Sequence, residues 1–386
     1  MNLTPYLPKI QAIPTPFYLY DSSLIEQTLN AAVEAAKILP QMQIHYAAKA
    51  NACPDFLRTV ATKGLGADCV SGAEIARCVE AGIDPQKIMF AGVGKTDKEI
   101  ELALTHNILC FNAESLPEID VIQSIAARMG VTTNVALRIN PNVDAHTHKY
   151  ITTGLEQNKF GIAMADMVSA ARHVLKQPNL RLYGLHFHIG SQILRMNSFR
   201  LLCHRIMQLV KCMEDEGIAI RAVNFGGGLG VDYRSPEKHP IPNFQGYFET
   251  LRDNISLDSS VLLHCELGRS LTAQWGALIT RVVYVKTSGK KQFVVVDAGM
   301  NDLIRPALYG AYHKIINLSA TTGKRHHYDI VGPVCESSDV FARDYPLPTT
   351  RRGDILAILS AGAYGRVMSS GYNCRPLAPE YLTNQL

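Results

Sequence analysis

The sequence predicts an α/β chain: a (β/α)8 barrel followed by a C-terminal β-domain that also takes in a strand from the N-terminus. Three observations carry this. Eight short apolar runs alternate with amphipathic stretches from about residue 44 to 268, and β-rich runs replace that alternation after Trp275. One further strand-like run, PFYLYD (Pro16 to Asp21), stands ahead of the alternation. Strands alternating with helices imply a parallel sheet, and eight such units suggest a closed barrel of the TIM type. An open doubly wound sheet is the alternative that the pattern alone allows.

The eight runs begin with IHYAAKA from Ile44, GADCVS from Gly66, KIMFAG from Lys87 and LCFNAES from Leu109. They continue with NVALRIN from Asn134, LYGLHFHIG from Leu182, AVNFGGG from Ala222 and LLHCELG from Leu262. Segments such as SGAEIARCVEAG and SFRLLCHRIMQLVKCMEDEG lie between them, with apolar residues at the three- and four-residue spacing of a helix face. Beyond Trp275, ALITRVVYVKTSGKKQFVVVDAG reads as two β-runs around a Ser-Gly turn, and GDILAILSAG follows. The expected domains are therefore a barrel over residues 25–272 and a β-domain made of 1–24 and 273–386. The polar stretch Asn140–Gly161, NPNVDAHTHKYITTGLEQNKFG, is expected to be a loop over a barrel mouth or at an interface.

Composition narrows the function classes. The chain has 386 residues, 47% hydrophobic and 19% charged, which suits a folded enzyme with a well-buried core. Its net charge of +4 is spread without a Lys/Arg run, so neither nucleic acid nor a membrane surface is an expected partner. The N-terminus lacks a signal-peptide pattern, and no later run is apolar enough for a membrane helix. Nine scattered cysteines without a CxxC pair fit a reducing compartment, and the expected location is cytoplasmic.

Chemistry-bearing residues fall at the ends of the predicted strands, where a barrel builds its site. Lys49 follows the first run. A lysine there is ordinarily a surface residue, but one held in a barrel mouth is a candidate amine for a Schiff base, because desolvation favours its neutral form. GGGLG (Gly226 to Gly230) follows VNF, and bare glycines after a strand let backbone N–H groups close on a phosphate. ELGRS (Glu266 to Ser270) ends the eighth run with a carboxylate that could pair with a protonated pyridine nitrogen, and its Gly-Arg could add an anion site. In HFHIGSQ (His186 to Gln192), the two histidines are expected to alternate faces, so that only one points into the mouth. No third ligand at suitable spacing supports a metal there, and His188 suits stacking on a flat ring. FAGVGKTD (Phe90 to Asp97) imitates a P-loop, but that pattern needs Gly where Met89 stands. Gly94, Lys95 and Thr96 are read instead as a strand-to-helix turn with Thr96 as the cap. Finally, GPVCES (Gly332 to Ser337) sets the Cys335 thiol beside the Glu336 carboxylate, a proton donor next to a group that can hold an ammonium.

YAAKAN, GVGKTD, the NPNVDAHTHKYITTGLEQNKFGI stretch, HFHIGSQ, GGGLG, ELGR, VDAGMNDLIRPALYGAYH, GPVCES and AGAYG occur in this order. From about Pro16 to the C-terminus the chain resembles the diaminopimelate decarboxylases, fold-type III pyridoxal-phosphate enzymes. Some motifs are shared with ornithine and arginine decarboxylases; the DAGMNDLIRPALYGAYH and CES segments are more specific.

The resemblance implies pyridoxal 5'-phosphate as cofactor, linked to Lys49 and cradled by Gly226, Gly227, Gly228, Gly268, Arg269 and Ser191. It further implies Glu266 on the pyridine nitrogen, His188 stacked on the ring, and Asp68, Arg138 and Tyr364 at other cofactor positions. Substrate would be held by Arg269 and Arg305 at its distal carboxylate, by Glu336 at its distal ammonium, and by Tyr309 and Tyr364. The implied reaction converts meso-2,6-diaminopimelate to L-lysine and carbon dioxide through an external aldimine, with Cys335 protonating the α-carbon. The Cys-Glu turn would come from the partner subunit of a homodimer. No metal is implied. Leu267 stands where the family usually has Pro, which relaxes the backbone before Gly268. Competing readings are a related decarboxylase acting on carboxynorspermidine, ornithine or lysine, a fold-type III racemase, and a non-catalytic decarboxylase-like regulator.

Overall fold

The computed structural model describes residues 1–143, 159–320 and 322–386. Most of the loop expected at Asn140–Gly161 lies outside these residues. The chain divides into two compact units, one made of Met1–Thr28, Val231–Pro242 and Ser270–Leu386, the other of Leu29–Gly230 and Asn243–Arg269. Val231–Pro242, which the sequence reading kept inside the barrel range, groups with the sheet unit.

After β1 (Phe17–Tyr20), all eight predicted runs are strands: β2 (Met42–Ala47), β3 (Gly66–Cys69), β4 (Ile88–Phe90), β5 (Cys110–Ala113), β6 (Thr133–Arg138), β7 (Leu180–His186), β8 (Ala222–Asn224) and β9 (Leu262–Leu267). They pair in parallel in chain order, and β9 returns to β2 with Met42 opposite Leu263 and Tyr46 opposite Leu267. The barrel is closed, so the open-sheet alternative falls. β3, β4 and β5 are buried along their whole length, as strands covered by crossover helices must be. The helix Met196–Asp215 buries Phe199, Leu202, Cys203, Ile206, Leu209, Val210 and Met213, a stripe at steps of three and one that lies along one face.

Short polar side chains start several of the crossover helices. Ser71 accepts the Glu74 N–H and Ser115 accepts the Glu118 N–H. Thr96 and Glu99 form a reciprocal capping box, as the turn reading of Gly94–Thr96 expects, and Glu99 also accepts the Gly72 N–H of the preceding helix at 2.9 Å. Lys95 is buried. Its ammonium donates to Gly92 O, Asn112 O and Glu118, which occupies all three of its hydrogens and leaves nothing for a phosphate.

Buried imidazoles tie the barrel strands together. His45 Nε2 meets His264 Nδ1 at 2.9 Å, and His264 Nε2 meets the Tyr183 hydroxyl at 3.1 Å. Burial pushes His45 down to about 4 and His264 well below its usual range, so both are neutral.

The second unit is a mostly antiparallel sheet. Its remaining strands are β10 (Gly276–Ser288), β11 (Lys291–Val296), β12 (Ile315–Asn317), β13 (Arg325–Val331), β14 (Val340–Pro348), β15 (Ile355–Leu359) and β16 (Glu380–Leu382). They run in the order β12-β15-β10-β11-β13-β14, and the predicted N-terminal strand β1 joins by pairing antiparallel to β10 and parallel to β16. Phe17 and Leu19 of β1 bury against Ala277, Ile279, Ile355, Ala357 and Leu359. Among the described residues no helix is long and apolar enough to cross a membrane.

Candidate active site

In the barrel unit, the predicted polar residues gather at the carboxyl ends of the strands. Lys49 sits in the short turn Ala48–Ala50 just past β2. Its Nζ lies 3.0 Å from Oδ2 of Asp68, which β3 holds wholly buried. The second carboxylate oxygen of Asp68, Oδ1, has no hydrogen-bond partner among the described residues. Burial and the nearby Glu266 charge raise the proton affinity of Asp68, against the pull of Lys49.

Glu266, next to last in β9, is a buried anion with three side-chain partners. Asn224 Nδ2 donates to its Oε1 at 2.8 Å, Asn112 Nδ2 reaches the same oxygen at 3.3 Å, and His186 Nε2 lies 3.0 Å away. A carboxylate can only accept here, so Nε2 of His186 carries the hydrogen. Burial works against the charge of Glu266, but His186 and Lys49 beside it hold the carboxyl well below the usual range. Two neighbouring carboxyls thus diverge: Glu266 stays ionised while Asp68 is pushed toward its protonated form.

His188 lies two residues past the end of β7 and is partly exposed. Its Nδ1 accepts the Gly227 N–H at 3.1 Å, which leaves the hydrogen on Nε2 of the neutral ring. Desolvation by its neighbours, with the charges of Arg138 and Lys49, pushes it down to about 3. The expectation that only one of the two histidines faces the site fails. His186 and His188 are two positions apart, the spacing that puts extended residues on one side, and both reach the site, His186 at Glu266 and His188 at the glycine cradle.

Gly226, Gly227 and Gly228 form a tight cradle after β8. Gly226 and Gly228 have φ of +68° and +109°, and a Cβ on Gly227 would lie 2.1 Å from the Glu266 carbonyl oxygen. Past β9, a Cβ on Gly268 would come within 3.0 Å of Ala47 Cβ. Arg269 is buried and places Nη2 and Nε at 3.0 and 3.2 Å from the Ser191 hydroxyl. Leu267 is fully buried and extends β9 to pair with Tyr46. Arg138, the last residue of β6, donates to Glu114 at 2.7 Å and stacks 4.7 Å over the Phe160 ring. Glu114 also accepts the Gly161 N–H at 2.8 Å.

The remaining predicted residues lie in the sheet unit. Arg305 opens the short helix Arg305–Tyr309 and is buried, with Nε 3.3 Å from His313 Nε2 and its guanidinium over the rings of Tyr233 and Tyr309. Tyr364 takes a left-handed φ of 55°, a strained backbone for a tyrosine. Cys335 and Glu336 are exposed in a loop braced by buried Asp339, whose carboxylate accepts the N–H groups of Val334 and Met300, each at 2.7 Å. The Glu336 carboxylate accepts the Tyr372 hydroxyl at 2.8 Å.

Sequence reasoning missed Asn112, Glu114, Asn224, Asp339 and Tyr372, and treated His186 only as a rejected metal ligand. Asn112, Glu114 and Asn224 share only one feature in the sequence, a polar residue near the carboxyl end of an apolar run, which a turn would also give. The barrel set suits a flat, phosphate-bearing aldehyde. It offers an amine, an ionised carboxylate, a neutral imidazole, a glycine cradle beside Arg269, and a buried Asp68 oxygen still open to a donor.

Comparison with known proteins agrees. Residues 25–273 match the family described as pyridoxal-dependent decarboxylase, pyridoxal binding domain. The diaminopimelate decarboxylase of Bacteroides thetaiotaomicron is 49% identical over 378 residues, covering 98% of both chains. The structure of diaminopimelate decarboxylase from Helicobacter pylori complexed with L-lysine superposes with a TM-score of 0.92 at 41% identity, covering 99% of this chain and 94% of that one. Lysine decarboxylase from Selenomonas ruminantium, at 22% identity and a TM-score of 0.86 over the whole chain and 97% of its own, shares the fold.

Proposed function

We infer the function from one premise: the chain belongs to the diaminopimelate decarboxylases, within the pyridoxal-dependent decarboxylases. It converts meso-2,6-diaminopimelate to L-lysine and carbon dioxide with pyridoxal phosphate as cofactor. The observation that carries this reading is the pair at the barrel's carboxyl end, the Lys49 amine against buried Asp68 and the ionised Glu266 beside it.

When bound, pyridoxal phosphate takes up the electron pair left on the substrate α-carbon as carbon dioxide departs. Lys49 would supply the amine that holds the cofactor's aldehyde carbon. Glu266, kept ionised by its donors, favours a proton on the pyridine nitrogen. His188, neutral and fixed by Gly227, offers a flat ring to stack. Gly228, with Gly268, Ser191 and Arg269, would take the phosphate, joined by Tyr364, in a cradle that Gly226 and Gly227 shape with their N–H groups given to Asn224 and His188; Asp68 and Arg138 would complete the cofactor's surroundings.

Substrate selection rests on opposite charges. Arg305 and Arg269 pair with the distal carboxylate, Glu336 takes the distal ammonium, and Tyr309 and Tyr364 add hydroxyls. Cys335 Sγ gives its proton to the α-carbon. As the family resemblance implies, Cys335 and Glu336 act from the partner subunit of a homodimer, and their exposure in this chain is in keeping with that. The enzyme works in the cytoplasm and engages neither nucleic acid nor membrane, in keeping with its small, dispersed charge.

The test is incubation with pyridoxal phosphate and meso-diaminopimelate while lysine and carbon dioxide are measured, beside ornithine, lysine and carboxynorspermidine. Lysine release from meso-diaminopimelate is expected. Turnover of one of the other three in its place overturns the substrate reading.

A further inference from the structure

We propose that Asn224 is a positioning residue that fixes the spacing between the two ends of the cofactor site. The inference deepens the proposed function and rests on its assignment of Glu266 to the pyridine nitrogen and of the glycines to the phosphate.

Asn224 ends β8 and is 2% exposed. Its Oδ1 accepts the Gly226 N–H at 2.8 Å, and its Nδ2 donates to Glu266 Oε1, also at 2.8 Å. The two partners settle the amide orientation, since a backbone N–H only donates and an ionised carboxylate only accepts. One planar group therefore grips the first N–H of the cradle and the carboxylate that meets the ring. The backbones on either side are tied too: Phe187 N–H donates to Asn224 O and Glu266 N–H to Gly226 O, both at 2.8 Å. With the main chains so held, the amide decides where the Glu266 carboxylate points. Asn112, at 3.3 Å, is a longer contact, and His186 touches the carboxylate without touching the cradle.

A bracket of this kind has a signature that a local packing role lacks. Pyridoxal phosphate spans both ends, whereas pyridoxal and inorganic phosphate each engage one. When two subsites are held at the right separation, a spanning ligand gains from engaging both at once, and that gain disappears when the separation drifts.

The test measures dissociation constants of apoenzyme for pyridoxal phosphate, pyridoxal and inorganic phosphate, in the native chain and in Asn224→Ala. Affinity for pyridoxal phosphate is expected to fall at least about tenfold more than the combined loss for the two fragments. Losses that simply combine, or no loss, overturn the proposal. Asn224→Ser, read the same way, decides the matter if the alanine variant does not fold. The pH at which the visible band of the loaded variant changes is expected to shift, as Glu266 loses a donor. Glu266→Gln and Gly227→Ala test the underlying reading: if neither weakens binding of pyridoxal phosphate to the apoenzyme, the site assignment fails, whatever Asn224 does.

Discussion

Tyr372 donates its hydroxyl hydrogen to the Glu336 carboxylate across 2.8 Å, within the loops that carry the Cys-Glu pair. The tyrosine starts a turn in which Asn373 and Cys374 both take left-handed φ of 56°, and Arg375 anchors the far side by donating to Asp297 O at 2.6 Å. The phenol thus aims the carboxylate assigned to the substrate's distal ammonium. Tyr372→Phe is expected to raise KM for meso-diaminopimelate by about three- to tenfold, with kcat within about twofold, the size of one hydrogen bond to a charged group. Steady-state kinetics check this, and an unchanged KM removes the role.

Lys49→Ala should end covalent capture of pyridoxal phosphate. Borohydride treatment of the native enzyme is expected to leave a cofactor-sized mass on the peptide containing Lys49, and none on the variant. Turnover should fall by at least about 10³-fold.

A site completed by the partner subunit, as proposed, predicts an outcome that no single variant can imitate. Lys49→Ala and Cys335→Ala homodimers should each be nearly inactive. Mixed under conditions that exchange subunits, they are expected to regain roughly a quarter of native activity, because half the dimers are mixed and each holds one complete site. Activity that stays at the level of the separate variants refutes a site completed by the partner.

How much of this was legible in the sequence follows from where the information lies. Each barrel strand was readable because a strand buried on both faces must be a short apolar run, and the helix stripes were readable for the same reason. Lys49, Glu266 and the glycines stood out as chemical types at strand ends. Asn224 and Asn112 did not, because a neutral amide near the end of an apolar run looks like the start of a turn. Their meaning appears only when β5, β8 and β9 converge on one carboxylate across as many as 154 positions of chain. GKT was rightly refused as a P-loop from the letters, but the burial that makes Lys95 a strut was invisible in them. The histidines were misjudged on parity, since residues two apart share a side of an extended chain.

Acid should loosen the barrel through His45. Burial holds it near 4, while the unfolded chain titrates it at about 6.5. Below pH 6.5 the unfolded state binds a proton that the folded state refuses until about pH 4, so stability drops as pH falls through that window. At 1.36 kcal/mol per pH unit the loss from this group approaches about 3 kcal/mol. His45→Asn should flatten the fall in urea midpoint between pH 7 and pH 4; a variant with the native slope contradicts the assignment.

Closure of the barrel sets β2, the first of its strands, against β9, its last, with His45 opposite Glu266 in register. Lys49 and Glu266 therefore become neighbours only once that seam is formed, where the end of the sheet meets its beginning. A chain still missing that seam has an amine and a carboxylate but no place where both meet a ring. Pyridoxal phosphate can then bind as one site only to the finished topology, and by mass action it draws incompletely closed chains toward it. Cofactor supply during synthesis is thus expected to govern how much closed barrel accumulates as well as how fast it turns over.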